Sequence, residues 1–160
     1  MVTVPSWTFN GHLVTEISDM PEGTYGFIYE TLHKPSGKKY LGKKVIYFER
    51  NKRLGVRALA ALKEERKSKG IGGRTSLKQK VITESDWLYY YGSQKEILKL
   101  SKEDNASENW EKRILQFVPN KKLLTYFETK HLMVSGVLED ELSSHINDNI
   151  LGKFYRKDFK

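Results

Sequence analysis

The stretch Gly26-Phe27-Ile28-Tyr29-Glu30-Thr31-Leu32-His33-Lys34-Pro35-Ser36-Gly37-Lys38-Lys39-Tyr40-Leu41-Gly42-Lys43-Lys44-Val45 decides how the chain folds. Residues 24–33 are rich in β-branched and aromatic side chains, which suit a pleated, half-buried surface. Pro35, Ser36 and Gly37 bring turn chemistry, proline by fixing φ and glycine by accepting a positive one. Residues 39–47 then read as a return strand, so the stretch predicts a β-hairpin. Pairing Lys34 with Lys39 sets Tyr29 opposite Lys44 and His33 opposite Tyr40. Side chains alternate along a strand, so Tyr29, Thr31, His33, Tyr40, Gly42 and Lys44 share one face. Ile28, Leu32, Leu41 and Val45 take the other face, and a register shift by two residues leaves both sets intact.

Working outward, residues 1–23 read as an irregular lead-in with Pro5, Pro21 and a turn at Asn10-Gly11. Leu54, Ala58, Ala61, Leu62 and Glu65 recur at steps of three and four, which predicts a helix over residues 51–69. Gly70 to Gly73 open a flexible basic loop that runs to Lys80. The aromatic cluster at residues 85–93 precedes a short helix, 94–102, and a third strand, 110–118, with Ile114 and Phe117 in the core. Asn120 caps a helix reaching about residue 133, with Leu123, Leu124 and Phe127 facing inward. Ile150, Leu151, Phe154 and Tyr155 dock a basic tail, residues 147–159. The expectation is one α+β domain over residues 1–160, with a small central antiparallel sheet of about three strands, hairpin first, flanked by helices.

The balance of 28 Lys and Arg against 20 Asp and Glu gives a formal charge of +8. It favours a polyanion, because each neutralised phosphate releases condensed counterions. No cysteine is present, which excludes disulfides, thiolate catalysis and Cys-ligated zinc. The four histidines, His12, His33, His131 and His145, have no metal-binding spacing. No long apolar run suggests a signal peptide or membrane span, so a cytoplasmic protein is expected, in the host cell if phage-encoded.

Phe27-Ile28-Tyr29 and Tyr40-Leu41-Gly42, ten residues apart, resemble the paired motifs of the GIY-YIG nuclease superfamily. Phe27 stands where that family has glycine, and Leu41 where it has isoleucine. Tyr40-Leu41-Gly42-Lys43-Lys44, the run Glu84-Ser85-Asp86-Trp87 with Tyr90-Tyr91-Gly92-Ser93, and Asn149-Ile150 with Gly152-Lys153-Phe154 narrow the resemblance to phage-encoded, free-standing Seg-like endonucleases, over residues 24–156. The resemblance implies a DNA endonuclease in which Glu128, on the inward face of the last helix, holds one Mg²⁺, with Mn²⁺ as substitute. It implies that Tyr29 orients or deprotonates the attacking water, that Tyr40 hydrogen-bonds in the site, and that Arg50, at the start of the first helix, grips the phosphate. A phenol titrating near ~10 needs a neighbouring cation to act as base. Lys44 is that cation in the register above, or Lys43 if the face is reversed. Gly42 admits a close backbone approach.

Arg53 and Arg57 extend the face of Arg50 along the helix, and Arg74 in the glycine loop is a further candidate. With Lys43, Lys78, Lys80 and Asn149 they form the expected DNA contacts, mostly to phosphates. Trp87 and Tyr89 to Tyr91 either stack on bases or build a small core. No zinc-finger or helix-turn-helix pattern is present, so specificity is limited or comes from a homodimer or partner. The competing readings are a nucleic-acid-binding protein without activity and a phage interaction protein on the same fold.

Overall fold

A computed structural model describes residues 3–139 and 143–160. The chain divides into two units, one formed by residues 1–46 with 86–160, the other by Tyr47–Ser85.

The first unit is built on the expected hairpin. Strands β1 (Trp7–Phe9), β2 (His12–Val14), β3 (Gly26–His33) and β4 (Lys38–Val45) enter its sheet, and the third strand predicted at 110–118 completes it. The spatial order is β2, β1, that third strand, β3, β4. The sheet therefore has five strands rather than three, and it is mixed, because β1 runs parallel to its neighbour at Trp7↔Lys112. Residues 7–14 of the lead-in are thus a small hairpin turned at Asn10 and Gly11, both at positive φ. Across the main hairpin His33 faces Lys38 and Tyr29 faces Gly42, a register two residues from the expected one. Both faces survive the shift. Phe27, Tyr29 and half-buried Tyr40 pack with Trp7, Trp87 and Ile114, while Ile28, Leu41 and Val45 pack with Leu124 and Leu132.

The first layer is an aromatic core. Trp7 meets the edges of Phe27 and Tyr29 with ring centroids 5.1 and 5.2 Å apart, and its indole N–H donates to the Trp87 carbonyl at 2.8 Å. Trp87 is buried, half-buried Tyr90 packs on the same cluster, half-buried Tyr91 meets Trp110 edge-on with centroids 4.8 Å apart, and Tyr89 is largely exposed. Lys112 is buried beneath this layer. Its Nζ donates to the Leu88 carbonyl at 2.9 Å and lies 4.3 Å from the Trp7 ring centroid, and desolvation lowers its pKa to about 7.

The second layer is helical. Past α1, which belongs to the other unit at Val56–Ser68, come α2 (Lys95–Glu103) and α3 (Lys121–Val134). Asn120 caps α3 by accepting from Leu123 N at 2.9 Å, as expected. Leu124 and Leu132 are buried on the sheet, whereas Leu123 is 37% exposed and leaves the predicted inward stripe. The tail forms a two-stranded turn, Asn149–Ile150 with Phe154–Tyr155, of which only Ile150 is buried. Glu30, buried on β3, accepts from His145 at 2.9 Å and Arg113 at 2.6 Å.

In the second unit β5 (Tyr47–Arg53) pairs with β6 (Lys78–Glu84) as an antiparallel ribbon, and α1 lies between them in sequence. The helix expected from residue 51 therefore begins five residues later, and residues 78–80 are strand rather than loop. The remaining strands are β7 (Trp110–Val118), β8 (Asn149–Ile150) and β9 (Phe154–Tyr155).

The bonds from His145 and Arg113 hold the Glu30 carboxyl at about 2, below its ordinary 4.5, against the effect of burial. A carboxyl depressed in the folded state stabilises above its unfolded pKa, and the contribution fades as pH falls from ~4.5 toward 2. Glu30→Gln should therefore cost on the order of 3 kcal/mol in urea unfolding at pH 7, and the gap to wild type should close in that acid window.

Candidate active site

Strand β4 is the outer strand of the sheet, and both of its faces contribute to one cavity of about 780 Å³. Tyr40 and Lys43 enter it from β4, Ser93, Gln94 and Lys95 from the start of α2, and Glu128 from α3. Asn147, Asp148 and Asn149 close it from the tail.

The phenols depend on the absence of a side chain at Gly42. A Cβ there would lie 2.8 Å from Tyr29 Oη and 3.0 Å from Tyr40 Cε1. Gly92 gives the same room from behind, since its Cβ would stand 2.8 Å from Tyr40 Cδ1. Tyr40 then reaches the cavity with its hydroxyl 2.9 Å from Ser93 Oγ, while Tyr29 is wholly buried behind it at a centroid distance of 6.2 Å. Burial raises both phenols, Tyr29 well above the ordinary value, and the neighbouring tyrosines and Glu128 push the same way. Lys44 is the cation expected to act on Tyr29. It stands opposite Phe27 rather than Tyr29, with Nζ 2.5 Å from Asp86 Oδ1 and 3.8 Å from the Tyr90 ring centroid. Its ammonium is thus paired with Asp86 and faces Tyr90.

Glu128 is the carboxylate the sequence pointed to, and its side chain is 19% exposed at the cavity wall. Lys43 Nζ approaches its Oε2 to 2.9 Å and Thr125 Oγ1 to 3.0 Å. Among the described residues no group of three or more His, Cys, Asp or Glu converges as a metal cage.

Arg50 belongs to the second unit. It is an exposed residue of β5, with Cζ 5.7 Å from the Phe48 ring centroid, not the first turn of a helix. Arg53 ends the same strand, and so does not share a helical face with Arg57, which is on α1. Arg74 is exposed in the loop, and Lys78 and Lys80 are exposed on β6. The cations among the residues lining the cavity are Lys43 and Lys95. The pattern Gly92-Ser93-Gln94-Lys95 carried the signal for the second, a glycine-bearing turn into a helix start, but that run reads as an aromatic cluster in sequence.

Asn147 is the other residue that sequence reasoning missed. Buried beside β4, it accepts from Leu41 N at 3.2 Å and donates to Leu41 O at 2.8 Å. It thereby pairs the backbone of the second motif as a neighbouring strand would. Lys39 continues that pairing, donating to Ser144 O and accepting from Ile146 N, both at 2.8 Å. Arg156 fastens the segment through the carbonyls of Val137, His145 and Asn147 at 2.8 to 3.0 Å. Asn149, the tail residue singled out by resemblance, lines the cavity and accepts from Gly152 N at 2.9 Å to close the final turn.

A paired-tyrosine hairpin, a glycine between the phenols and a helix-borne glutamate define a GIY-YIG type of nuclease core. The chain belongs to the SegE GIY-YIG domain family, whose model matches residues 7–150. No curated protein and no solved structure gives a match. Nuclease activity is the general property of that family, and no helix among the described residues is long and apolar enough to cross a membrane.

Gly42→Ala should displace one phenol or the other and cost about 1 to 3 kcal/mol, as overpacking does, with cleavage falling further than stability. Asn147→Ala leaves the Leu41 amide and carbonyl without their partners and should cost about 1 to 3 kcal/mol. Thermal unfolding beside a plasmid-nicking assay measures both.

Proposed function

We propose that the protein is a DNA endonuclease that hydrolyses phosphodiester bonds with one divalent cation. The observation that carries this reading is the convergence of Tyr40, Glu128, Lys43 and Lys95 on one cavity wall, with Tyr29 packed behind.

The donor set fits a hard cation sparingly. Glu128 is the carboxylate expected to hold it, Asp148 and Glu96 also line the cavity, and all are oxygen ligands. A site with so few protein ligands suits Mg²⁺, with Mn²⁺ as substitute, because Mg²⁺ keeps several waters and accepts substrate phosphates. When bound it would supply charge stabilisation at the phosphate and a water of lowered pKa.

The chain's own groups do the rest. Both phenols keep their protons at neutral pH, so Tyr40 acts at the substrate as a hydrogen-bond donor and acceptor, oriented by Ser93. Tyr29 packs against the Tyr40 ring from the buried side, which narrows the role the resemblance implied for it. Lys44 secures the aromatic wall through Asp86 and Tyr90. Lys95 and Lys43 line the cavity and would meet a phosphate there, a part the resemblance gave to Arg50. Gly42 keeps the wall flat enough for both rings.

Incubating supercoiled plasmid with the protein and Mg²⁺ should give nicked or linear DNA, abolished by EDTA, and Glu128→Ala should lose at least about 100-fold in rate, the scale on which removing one charge-stabilising group at a reacting centre acts. Intact plasmid across a wide range of salt and sequence would sink the nuclease reading in favour of a binding protein. Undiminished cleavage by Glu128→Ala would reject the site assignment alone. Because Lys43 neutralises Glu128, Lys43→Met should bind Mn²⁺ several-fold more tightly than wild type when titrated calorimetrically without DNA.

A further inference from the structure

The charge of this protein is divided unequally between its two units. Residues 47–85 hold 11 of the 28 Lys and Arg but only 4 of the 20 Asp and Glu, a formal +7 out of the chain's +8. The larger unit, with 17 basic and 16 acidic residues, is almost neutral.

The small unit is also poor in packing. Helix α1 buries no residue, and β5 and β6 are exposed along nearly their whole length. A two-stranded ribbon is marginal by itself, and crowding like charges on it adds repulsion. Its composition therefore costs stability, and a polyanion would relieve that cost.

The ribbon places cations on both faces. Cross-strand partners share a face, so Asn51 with Lys80 and Arg53 with Lys78 lie on one, and Arg50 with Val81 and Lys52 with Gln79 on the other. Within the unit Lys69 pairs with Glu65 and Lys80 with Glu49. Among the described residues no carboxylate pairs with Arg50, Lys52, Arg53, Arg57, Arg74 or Lys78, so their charge is available to a ligand.

We propose that residues 47–85 form a DNA-binding arm that tracks the phosphates of duplex DNA and supplies most of the protein's salt-dependent affinity, while the near-neutral unit carries the chemistry. The choice of DNA as the polyanion rests on the nuclease reading. The form suits it, since a two-stranded ribbon is among the elements the major groove of B-DNA admits, and ribbon cations contact the phosphates on either side. The arm takes the place of the appended zinc finger or helix-turn-helix that the sequence lacks.

The test compares full-length wild type with the quadruple variant Lys52→Gln, Arg53→Gln, Arg74→Gln, Lys78→Gln. A control carries four substitutions in the larger unit: Lys99→Gln, Lys102→Gln, Lys121→Gln and Lys157→Gln. Binding to a fluorescent duplex of about 30 base pairs is followed by anisotropy in EDTA, from about 50 to 300 mM KCl, with circular dichroism to confirm folding. Each lost phosphate contact lowers the slope of log K against log salt by ~0.9. The arm variant should lose roughly three units of slope and at least about tenfold in affinity near 100 mM salt, and the control less than about one unit.

Equal slopes for the arm variant and wild type would overturn the proposal, as would an equal loss in the control. Tighter wild-type binding to phosphatidylserine vesicles than to the duplex would overturn it too, by assigning the charge to a membrane surface. Wild-type binding without cleavage in Mg²⁺, together with the expected loss in the arm variant, would remove the nuclease reading and leave the arm. Cleavage with an unchanged slope would do the reverse.

Discussion

Everything at the candidate site hangs on the pairing of Tyr29 with Gly42 across the main hairpin. In that pair a phenol needs the space that a side chain on the opposite strand would fill. The missing Cβ lets Tyr29 lean across β4 and lets Tyr40 lie over the same spot, so two rings occupy a surface that ordinarily holds one. Gly92 repeats the device on the far side of Tyr40. Sterics, rather than any strong polar contact, set where the reactive-looking hydroxyl stands. The Ser93 hydroxyl then fixes its direction at 2.9 Å.

The same strand is an edge, and an edge strand presents unpaired backbone groups. Here the liability becomes the architecture of the cavity. Asn147 covers Leu41 with one side-chain amide, and Lys39 pairs with the backbone on either side of His145. The covering segment brings Asp148 and Asn149 to the cavity rim. One carboxamide thus protects the edge from pairing with another chain and assembles the third wall of the site.

Much of this was legible in the sequence, for identifiable reasons. The two faces of the hairpin were right although the register was not, because a shift by two preserves a period of two. Asn120 and Glu128 were legible because capping and helical periodicity are local signals. The strands β1 and β2, three residues each, are too short for alternation to show, so only their Asn10-Gly11 turn could be read. The helix start expected at Arg50 is instead a strand, not legible locally because Glu49, Arg50, Asn51 and Lys52 carry little β propensity and pair with residues about thirty positions away. Asn147 gave no local sign, since its partner is 106 residues distant. Within the candidate site, the groups carried by a local pattern could be found, and Asn147, placed by long-range closure, could not.

The electrostatics of the larger unit explain why its tyrosines and its glutamate must be considered together. A buried phenol resists ionisation, and Glu128 adds negative potential at both rings. Lys43 answers that potential at 2.9 Å, and among the described residues it is the cation paired with that carboxylate. A divalent ion taking the place of the ammonium would bring two positive charges where Lys43 brings one. That would offset the contribution of Glu128 at both rings, while burial, the larger cause, still holds the phenols above their ordinary value. The fold therefore keeps both tyrosines protonated, and the glutamate beside them reinforces what burial begins.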